Sequence, residues 1–175
     1  MAEMTAIYTR QAQLSDLDQI MTMIDAAKAL LKKDGSPQWQ DGHPDREMMT
    51  KDIQVGDCYV LVVGKQVAGT ATLMVTPDPC YAEIDGAWLK PDQPYATVHR
   101  LALAADFRGQ HLSDFFMSNL LSLAYEKGLR QVRIDTHMLN QRLQHLAQKF
   151  DFVYCGVIKV ADVIDPNRNA YELDF

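Results

Sequence analysis

The spacing of apolar side chains predicts that the chain opens with one strand and two helices. Segment 5–10 is rich in β-prone residues, and we expect it to start a sheet. Apolar residues then recur at helical spacing, which predicts a helix with Ser15 as its N-cap. They are Leu17, Ile20, Met21, Ile24, Ala27 and Leu31. The run Gly35-Ser36-Pro37 ends this helix, and a second short helix is predicted over 45–53.

The middle of the chain predicts a hairpin, a further strand and a longer helix. Strands at 59–63 and 67–75 flank a turn at 64–66. Proline favours turns and sheet edges, so the proline-rich stretch 76–94 predicts a strand interrupted by loops. A strand over 96–104 follows. The next helix, which Gly128 ends, has an apolar stripe made of Leu112, Phe115, Phe116, Leu120, Leu123 and Ala124.

The last third of the chain predicts a strand, a short helix and a closing hairpin. Apolar and polar residues alternate over 132–137, as in a strand. A short amphipathic helix over 143–150 precedes strands at 152–160 and 170–175. The order is that of a mixed α/β (α+β) domain with a largely antiparallel sheet. The single strand–helix–strand crossover from 96 to 137 predicts one parallel pair.

Composition narrows the classes of function. At 175 residues with 47% hydrophobic residues, the chain (1–175) is expected to form a single domain. We expect no membrane span, because no apolar run approaches about 18 residues. We expect no signal peptide, because the N-terminal sequence MAEMTAIYTR lacks a basic stretch followed by an apolar one. Three widely spaced cysteines favour a reducing, cytoplasmic location. A net charge of −6 disfavours a nucleic-acid partner. The oligomeric state stays open, with a homodimer as one alternative.

The run VHRLALAADFRGQHLS, residues 98–113, carries the strongest chemical signal. A buried-type strand ends in a turn with Arg108 and Gly109, and a helix pattern follows at once. The first amides of a helix have no intrahelical partner and lie at the positive end of its dipole, so this arrangement can hold a phosphate. A plain turn is the alternative interpretation, since the three-glycine dinucleotide pattern and the phosphate-loop pattern are both missing.

A second segment, 131–152, adds a strand, Asn140, a short helix and an aromatic residue. Together the two segments resemble the GNAT superfamily of acyl-CoA-dependent N-acetyltransferases. Gly109 matches the glycine of the cofactor motif of that family. Asp106 stands where Gln or Arg is usual, and His111 stands where Gly or Ala is usual. The resemblance covers about residues 5–175 and implies a splayed parallel strand pair with helices on both faces of the sheet.

The resemblance also implies where acetyl-CoA binds. Backbone groups of Leu101, Ala102 and Leu103 would hold the pantetheine arm like an added strand. The pyrophosphate would lie on the backbone amides of Arg108, Gly109, Gln110, His111, Leu112 and Ser113. Asn140 would lie close to the pantetheine, although Asn is also a common N-cap. The side chain of His111 could point to solvent or contact a phosphate.

The general acid and general base are less clear from the sequence. The family often has a Tyr, the acid for the leaving thiolate, where this chain has Ala147, and Asp151 replaces a usual Gly. Tyr154 or a water is expected to supply any proton. An attacking amine must be neutral, so a base is needed, and His99 and His137 are the candidates. Either histidine could instead be a buried structural residue.

Other residues are secondary candidates. Glu83 and Asp85 are acidic alternatives for the base. Aromatic residues that could wall an acceptor pocket are Trp39, Tyr81 and Trp88. No covalent enzyme intermediate is needed, so Cys58 and Cys155 are expected to be small core residues.

These observations predict an acetyltransferase that moves an acetyl group from acetyl-CoA to a primary amine of a small molecule or peptide by direct attack. The first alternative is a non-catalytic acyl-CoA-binding or sensing domain. The second is a nucleotide-binding protein that uses the 108–113 turn for a different phosphate. The acceptor would be selected by the loops at 35–45 and 76–95 and is left open, because a fold does not define its substrate.

Overall fold

The structure is a computed structural model that describes residues 5–175, in which an eight-stranded sheet is flanked by helices. The strands are β1 (Ile7–Gln11), β2 (Cys58–Val63), β3 (Gln66–Met74), β4 (Asp85–Gly86), β5 (Tyr95–Leu103), β6 (Gln131–Thr136), β7 (Val153–Lys159) and β8 (Asn167–Asp174). The α-helices are α1 (Leu17–Lys33), α2 (Arg46–Gln54), α3 (Leu112–Glu126) and α4 (Gln141–Lys149).

The sheet has the strand order β1-β2-β3-β5-β6-β8-β7-β4. Within residues 5–175, β5 and β6 pair in parallel, and the other neighbouring strands pair antiparallel. Helix α3 is the crossover between the parallel strands. The predicted fold class and its parallel pair are therefore confirmed.

The two faces of β2 show why helices cover both sides of the sheet. Successive side chains of a strand point to opposite faces. Cys58, Val60 and Val62 pack in one core with α1 and α2. Tyr59 and Leu61 pack in the other core with α3 and α4. Because β2 is buried on both faces, it needs a helical layer on each side. Cys58 is fully buried, so the prediction that it is a small core residue is confirmed.

Two details at helix positions differ from the predictions. Ser15 is not an N-cap, because a 3₁₀ turn over Leu14–Asp16 precedes α1. In that turn the Asp16 carboxylate accepts the Gln13 backbone amide at 2.7 Å, and among the described residues no side chain caps the start of α1. Phe115 is 41% exposed, so it does not belong to the buried stripe of α3, whereas Met117 does.

The strand predicted within 76–94 is wrong except for the two residues of β4. This loop instead turns Tyr81 and Trp88 into a third apolar cluster with Ile158. Strand β4 lies so close to β7 that a Cβ on Gly156 would sit 2.1 Å from the Asp85 carbonyl oxygen. The two aromatic rings thus pack together, with centroids 5.2 Å apart, in a cluster of their own against β7.

A buried ion pair fastens the same loop to the sheet. Arg133 Nε donates to Glu172 Oε1 at 3.4 Å, and both side chains are almost fully enclosed. The guanidinium lies 4.1 Å from the ring centroid of Trp88 and 3.9 Å from that of Tyr95. Glu172 Oε2 also accepts the Leu89 amide at 2.6 Å. Loop position therefore depends on a charge pair inside the protein.

The parallel pair separates after three residues. Pairing joins Tyr95–Thr97 to Gln131–Arg133, and beyond this point each strand pairs only with its outer neighbour. A β-bulge in β5 places Arg100 at a φ of 53°, a left-handed conformation that is unusual for a non-glycine residue. The diverging strands leave a slot between the edges of β5 and β6.

Candidate active site

A cavity of about 630 Å³ occupies the slot and extends past it. Its walls come from β5, β6, the N-terminal ends of α3 and α4, the C-terminal half of α1 and the loops around 38–48, 78–80 and 160–162. The sequence-predicted residues that line it are His99, Leu101, Ala102, Leu103, Arg108, Gly109, Ser113 and Asn140. One cavity thus combines most of the expected cofactor-binding residues with one of the two candidate bases.

The N-terminal end of α3 presents free amides at one end of the cavity. Gly109 has a φ of 78° and His111, the N-cap, has a φ of 58°, so the chain turns sharply into the helix. Within residues 5–175, the backbone N–H groups of 109–113 donate no hydrogen bond to a protein acceptor. Free amides at the positive end of a helix dipole bind anions. The Arg108 side chain lines the cavity close to this end.

The other predicted residues of this turn do not line the cavity with their side chains. Leu112 is buried in the core, the His111 side chain is 85% exposed, and Gln110 donates to the Asp106 carbonyl. They can act there only through the backbone. The open position of the His111 side chain agrees with the solvent-exposed alternative.

Asn140 caps α4 at the far wall of the slot. Its Oδ1 accepts the Leu143 amide at 3.3 Å, so the side chain is an N-cap. Its Nδ2 donates to Gln38 Oε1 at 3.3 Å. The amide that the family resemblance directs at pantetheine therefore already has a protein partner.

His99 lies between two carboxylates. Its Nε2 is 2.9 Å from Asp78 Oδ2, and its Nδ1 is 3.6 Å from Asp135 Oδ2. Asp135 also accepts the Tyr81 hydroxyl at 2.7 Å. His99, Asp78 and Asp135 line the cavity, whereas Tyr81 supports them from the third apolar cluster.

The ionisation of the surrounding groups keeps this arrangement in place. The hydrogen bond to His99 holds the pKa of Asp78 below its ordinary value, so this carboxylate stays charged at neutral pH. Burial, reinforced by the Asp135 charge, raises the pKa of Tyr81 well above that of a free phenol. Tyr81 therefore remains a hydrogen-bond donor to Asp135.

The other candidate base, His137, lies just past β6 and does not line the cavity. It is 3% exposed, and its Nε2 is 2.8 Å from Asp165 Oδ2. Its Nδ1 accepts the Leu139 amide at 3.1 Å. Both ring nitrogens are thus used to hold the turn after β6.

The candidate acid Tyr154 also lies away from the cavity. It is on β7, 54% exposed, and packs edge-on against Tyr171 with ring centroids 5.7 Å apart. Ala147 lies on α4 and is fully buried in the core. Neither position brings a phenol to the slot.

The remaining secondary candidates divide between cavity and core. Trp39 lines the cavity and has a φ of 65°, a strained conformation for a bulky residue. Trp88 is a core residue, and Glu83 and Asp85 lie outside the cavity wall. Cys155 is buried as expected.

Several residues of the site were not predicted from the sequence. Asp78 lies in an irregular loop, and Gln38 lies in a loop before α2, so neither has a periodic pattern around it. Asp135 was visible only as a polar position of a strand. Arg100 is held by Asp52 Oδ2 at 2.8 Å from α2. A proline-flanked Asp was the only available signal for Asp78.

Comparisons with known proteins agree with this geometry. A match to the Acetyltransferase (GNAT) family covers residues 24–152. A GNAT-family acetyltransferase from Streptococcus agalactiae superposes with a TM-score of 0.87 at 32% sequence identity, over 97% of this chain and 95% of that chain. The chain therefore belongs to the GNAT acetyltransferase family, and it is an acetyltransferase.

More distant solved structures share the fold. An agmatine N-acetyltransferase has a TM-score of 0.65 at 17% identity, over 97% of this chain and 99% of that chain. A ribosomal-protein alanine N-acetyltransferase from Escherichia coli has a TM-score of 0.64 at 13% identity, over 97% and 94% of the two chains. No curated protein sequence matches the chain significantly. Within residues 5–175, no helix is long and apolar enough to cross a membrane.

Proposed function

We propose that the protein transfers the acetyl group of acetyl-CoA to a primary amine of a small molecule or peptide by direct attack. The observation that carries this proposal is the position of His99, flanked by Asp78 and Asp135, in the same cavity as the splayed strands. Members of the GNAT family use acetyl-CoA, and the alternative of a non-catalytic sensing domain has no support in the comparisons.

The cofactor occupies the slot in this proposal. The pantetheine arm lies along the open edge of β5 at Leu101, Ala102 and Leu103. The pyrophosphate accepts hydrogen bonds from the free amides of 109–113, with Arg108 close by. Leu143 and Leu146 of α4 supply apolar contact from the opposite wall. Asn140 acts on the cofactor mainly by holding the start of α4.

Proton transfer begins at His99. Ionised Asp78 accepts a hydrogen bond from the Nε2–H of a neutral His99 imidazole. The lone pair on Nδ1 is then directed towards Asp135. An acceptor ammonium attracted by Asp135 gives a proton to Nδ1. The resulting amine nitrogen then attacks the thioester carbon. An N–H on the open edge of β5 stabilises the oxyanion.

The tetrahedral adduct collapses with cleavage of the C–S bond. The electron pair stays on sulfur, and the new amide loses its second proton to water. A thiol has a pKa near ~8.5, so the CoA thiolate leaves without a strong acid and is protonated by water. Tyr154 is not needed for this step.

Release of CoA thiol in the presence of an amine panel tests the proposed function. The panel contains diamines, guanidino amines and short peptides with free N-termini. Thiol release that depends on the amine, with a product one acetyl group heavier by mass spectrometry, is the expected result. Tight acetyl-CoA binding without transfer to any amine would favour the sensing-domain alternative.

Gly109→Val is expected to weaken acetyl-CoA binding without unfolding the protein. A Cβ at this position meets no atom within 4 Å, so the substitution causes no clash in the free protein. The left-handed φ of 78° is unfavourable for a branched residue, and its side chain would hinder phosphate approach. Calorimetric titration measures the affinity, and Gly128→Val, at a comparable φ of 84° outside the cavity, is the control. Equal affinity for both variants would remove the pyrophosphate assignment.

We also propose a cytoplasmic location, which the three free cysteines support. The oligomeric state stays open, with a homodimer as one alternative that size-exclusion chromatography with light scattering can test.

A further inference from the structure

Gln38 links the loop between α1 and α2, which forms one wall of the cavity, to the slot at β6 and α4. It lies in the loop between α1 and α2, it is only 7% exposed, and it lines the cavity. Its Oε1 accepts hydrogen bonds from Thr136 Oγ1 at 3.0 Å and from the His137 amide at 3.1 Å. Asn140 Nδ2 is the third donor to the same oxygen, at 3.3 Å. These donors come from the carboxyl end of β6 and the start of α4.

The three donors fix the orientation of the Gln38 side-chain amide. Because Oε1 faces all of them, Nε2 must point away from β6. Within residues 5–175, Nε2 donates no hydrogen bond to another residue, and this atom keeps some access to solvent. A side chain that is more than nine-tenths buried thus presents a free N–H donor to the cavity.

The position of this donor along the slot indicates which part of the cofactor it meets. Thr97 pairs with Arg133, so His99 and Asp135 lie at about the same level of the slot. Thr136 and Asn140 lie further along, towards the free amides of α3. The donor therefore lies between the reacting centre and the pyrophosphate site, where the pantetheine arm has amide carbonyls.

We propose that Gln38 is a cofactor-binding residue whose Nε2 donates a hydrogen bond to an amide carbonyl of pantetheine. This inference rests on the proposed function. The same loop carries Trp39 and Asp41, which line the cavity. Binding of acetyl-CoA through Gln38 therefore also holds Trp39 and Asp41, which would contact the acceptor, in place.

Gln38→Glu removes the Nε2–H donor but keeps an oxygen that can accept the three hydrogen bonds to Oε1, which we call the tether. A carboxylate oxygen still accepts from Thr136, His137 and Asn140, but the side chain no longer donates. We expect acetyl-CoA to bind about tenfold more weakly, because a buried carbonyl loses its donor. Gln38→Met, which loses both donor and tether, should bind no more tightly. Thermal unfolding of each variant checks that the fold is retained.

Two further probes exclude a general charge effect. Acetyl-pantetheine has no phosphate, and ADP has no pantetheine. We expect Gln38→Glu to weaken acetyl-pantetheine binding and to leave ADP binding unchanged. The inference about Gln38 would be overturned if Gln38→Glu bound acetyl-CoA as tightly as the wild type, or if it weakened ADP binding as much as acetyl-pantetheine binding. The proposed function would stand in either case. Failure of the wild-type protein to bind acetyl-CoA would overturn the proposed function as well.

Discussion

His99→Gln is expected to reduce kcat by about 10²–10⁴-fold, the usual contribution of a general base. Glutamine can keep a hydrogen bond to Asp78, but its amide nitrogen does not accept a proton. The fold should be retained, because the His99 side chain borders the cavity and is not part of an apolar core. The affinity for acetyl-CoA should change little, since the proposed cofactor contacts begin at Leu101.

The pH profile gives the matching test. Wild-type turnover should fall at acidic pH, as expected when an enzyme group must accept the proton of the acceptor ammonium, whereas turnover of His99→Gln should follow only the fraction of neutral amine and rise up to the pKa of that amine. Tyr154→Phe is the control and should keep the wild-type rate and profile, because Tyr154 lies outside the cavity wall. A His99→Gln enzyme with the wild-type rate and profile would show that the base is another group.

Glu172→Ala is expected to lower the free energy of unfolding by about 3–5 kcal/mol, the usual cost of breaking a buried ion pair. The variant would leave the Arg133 guanidinium charged, 2% exposed and without its carboxylate partner. It would also remove the acceptor for the Leu89 amide. Urea unfolding at neutral pH measures the change.

The double variant Arg133→Met/Glu172→Leu provides the control for this prediction. It removes both charges and keeps apolar volume, so it should be considerably more stable than Glu172→Ala. The positions of Trp88 and Tyr95, which stack on the guanidinium, would still be supported by the methionine side chain. A Glu172→Ala protein as stable as wild type would mean that the pair does not anchor the loop.

The parts of the fold that follow local patterns were predictable. Strand β2 alternates between two apolar faces, and the hairpin turn at 64–65 has the expected glycine. The strand–turn–helix at 98–113 was also predicted, since the strand, Gly109 and the α3 stripe are all local signals. The loop 76–94 was not, because its position depends on Glu172 and Arg133, which lie far away in the sequence.

The cluster of His99, Asp78 and Asp135 was only partly predictable for the same reason. His99 stood out as a titratable residue on a strand beside the predicted slot. Its partner Asp78 lies 21 residues earlier in a loop, and the two side chains meet only through the tertiary structure. His137 was also predicted to lie beside the slot, but the turn after β6 encloses it beside Asp165. Gln38 is 98 residues away from its partner Thr136 in the sequence.

A crystal structure of the protein with acetyl-CoA bound tests the account most directly. We predict that the pantetheine arm lies between β5 and β6 and is hydrogen-bonded to Leu101–Leu103, with the pyrophosphate on the amides of 109–113. The thioester carbon should lie where an amine next to His99 Nδ1 can reach it. Acetyl-CoA bound outside the slot, or with its thioester away from His99, would contradict the account.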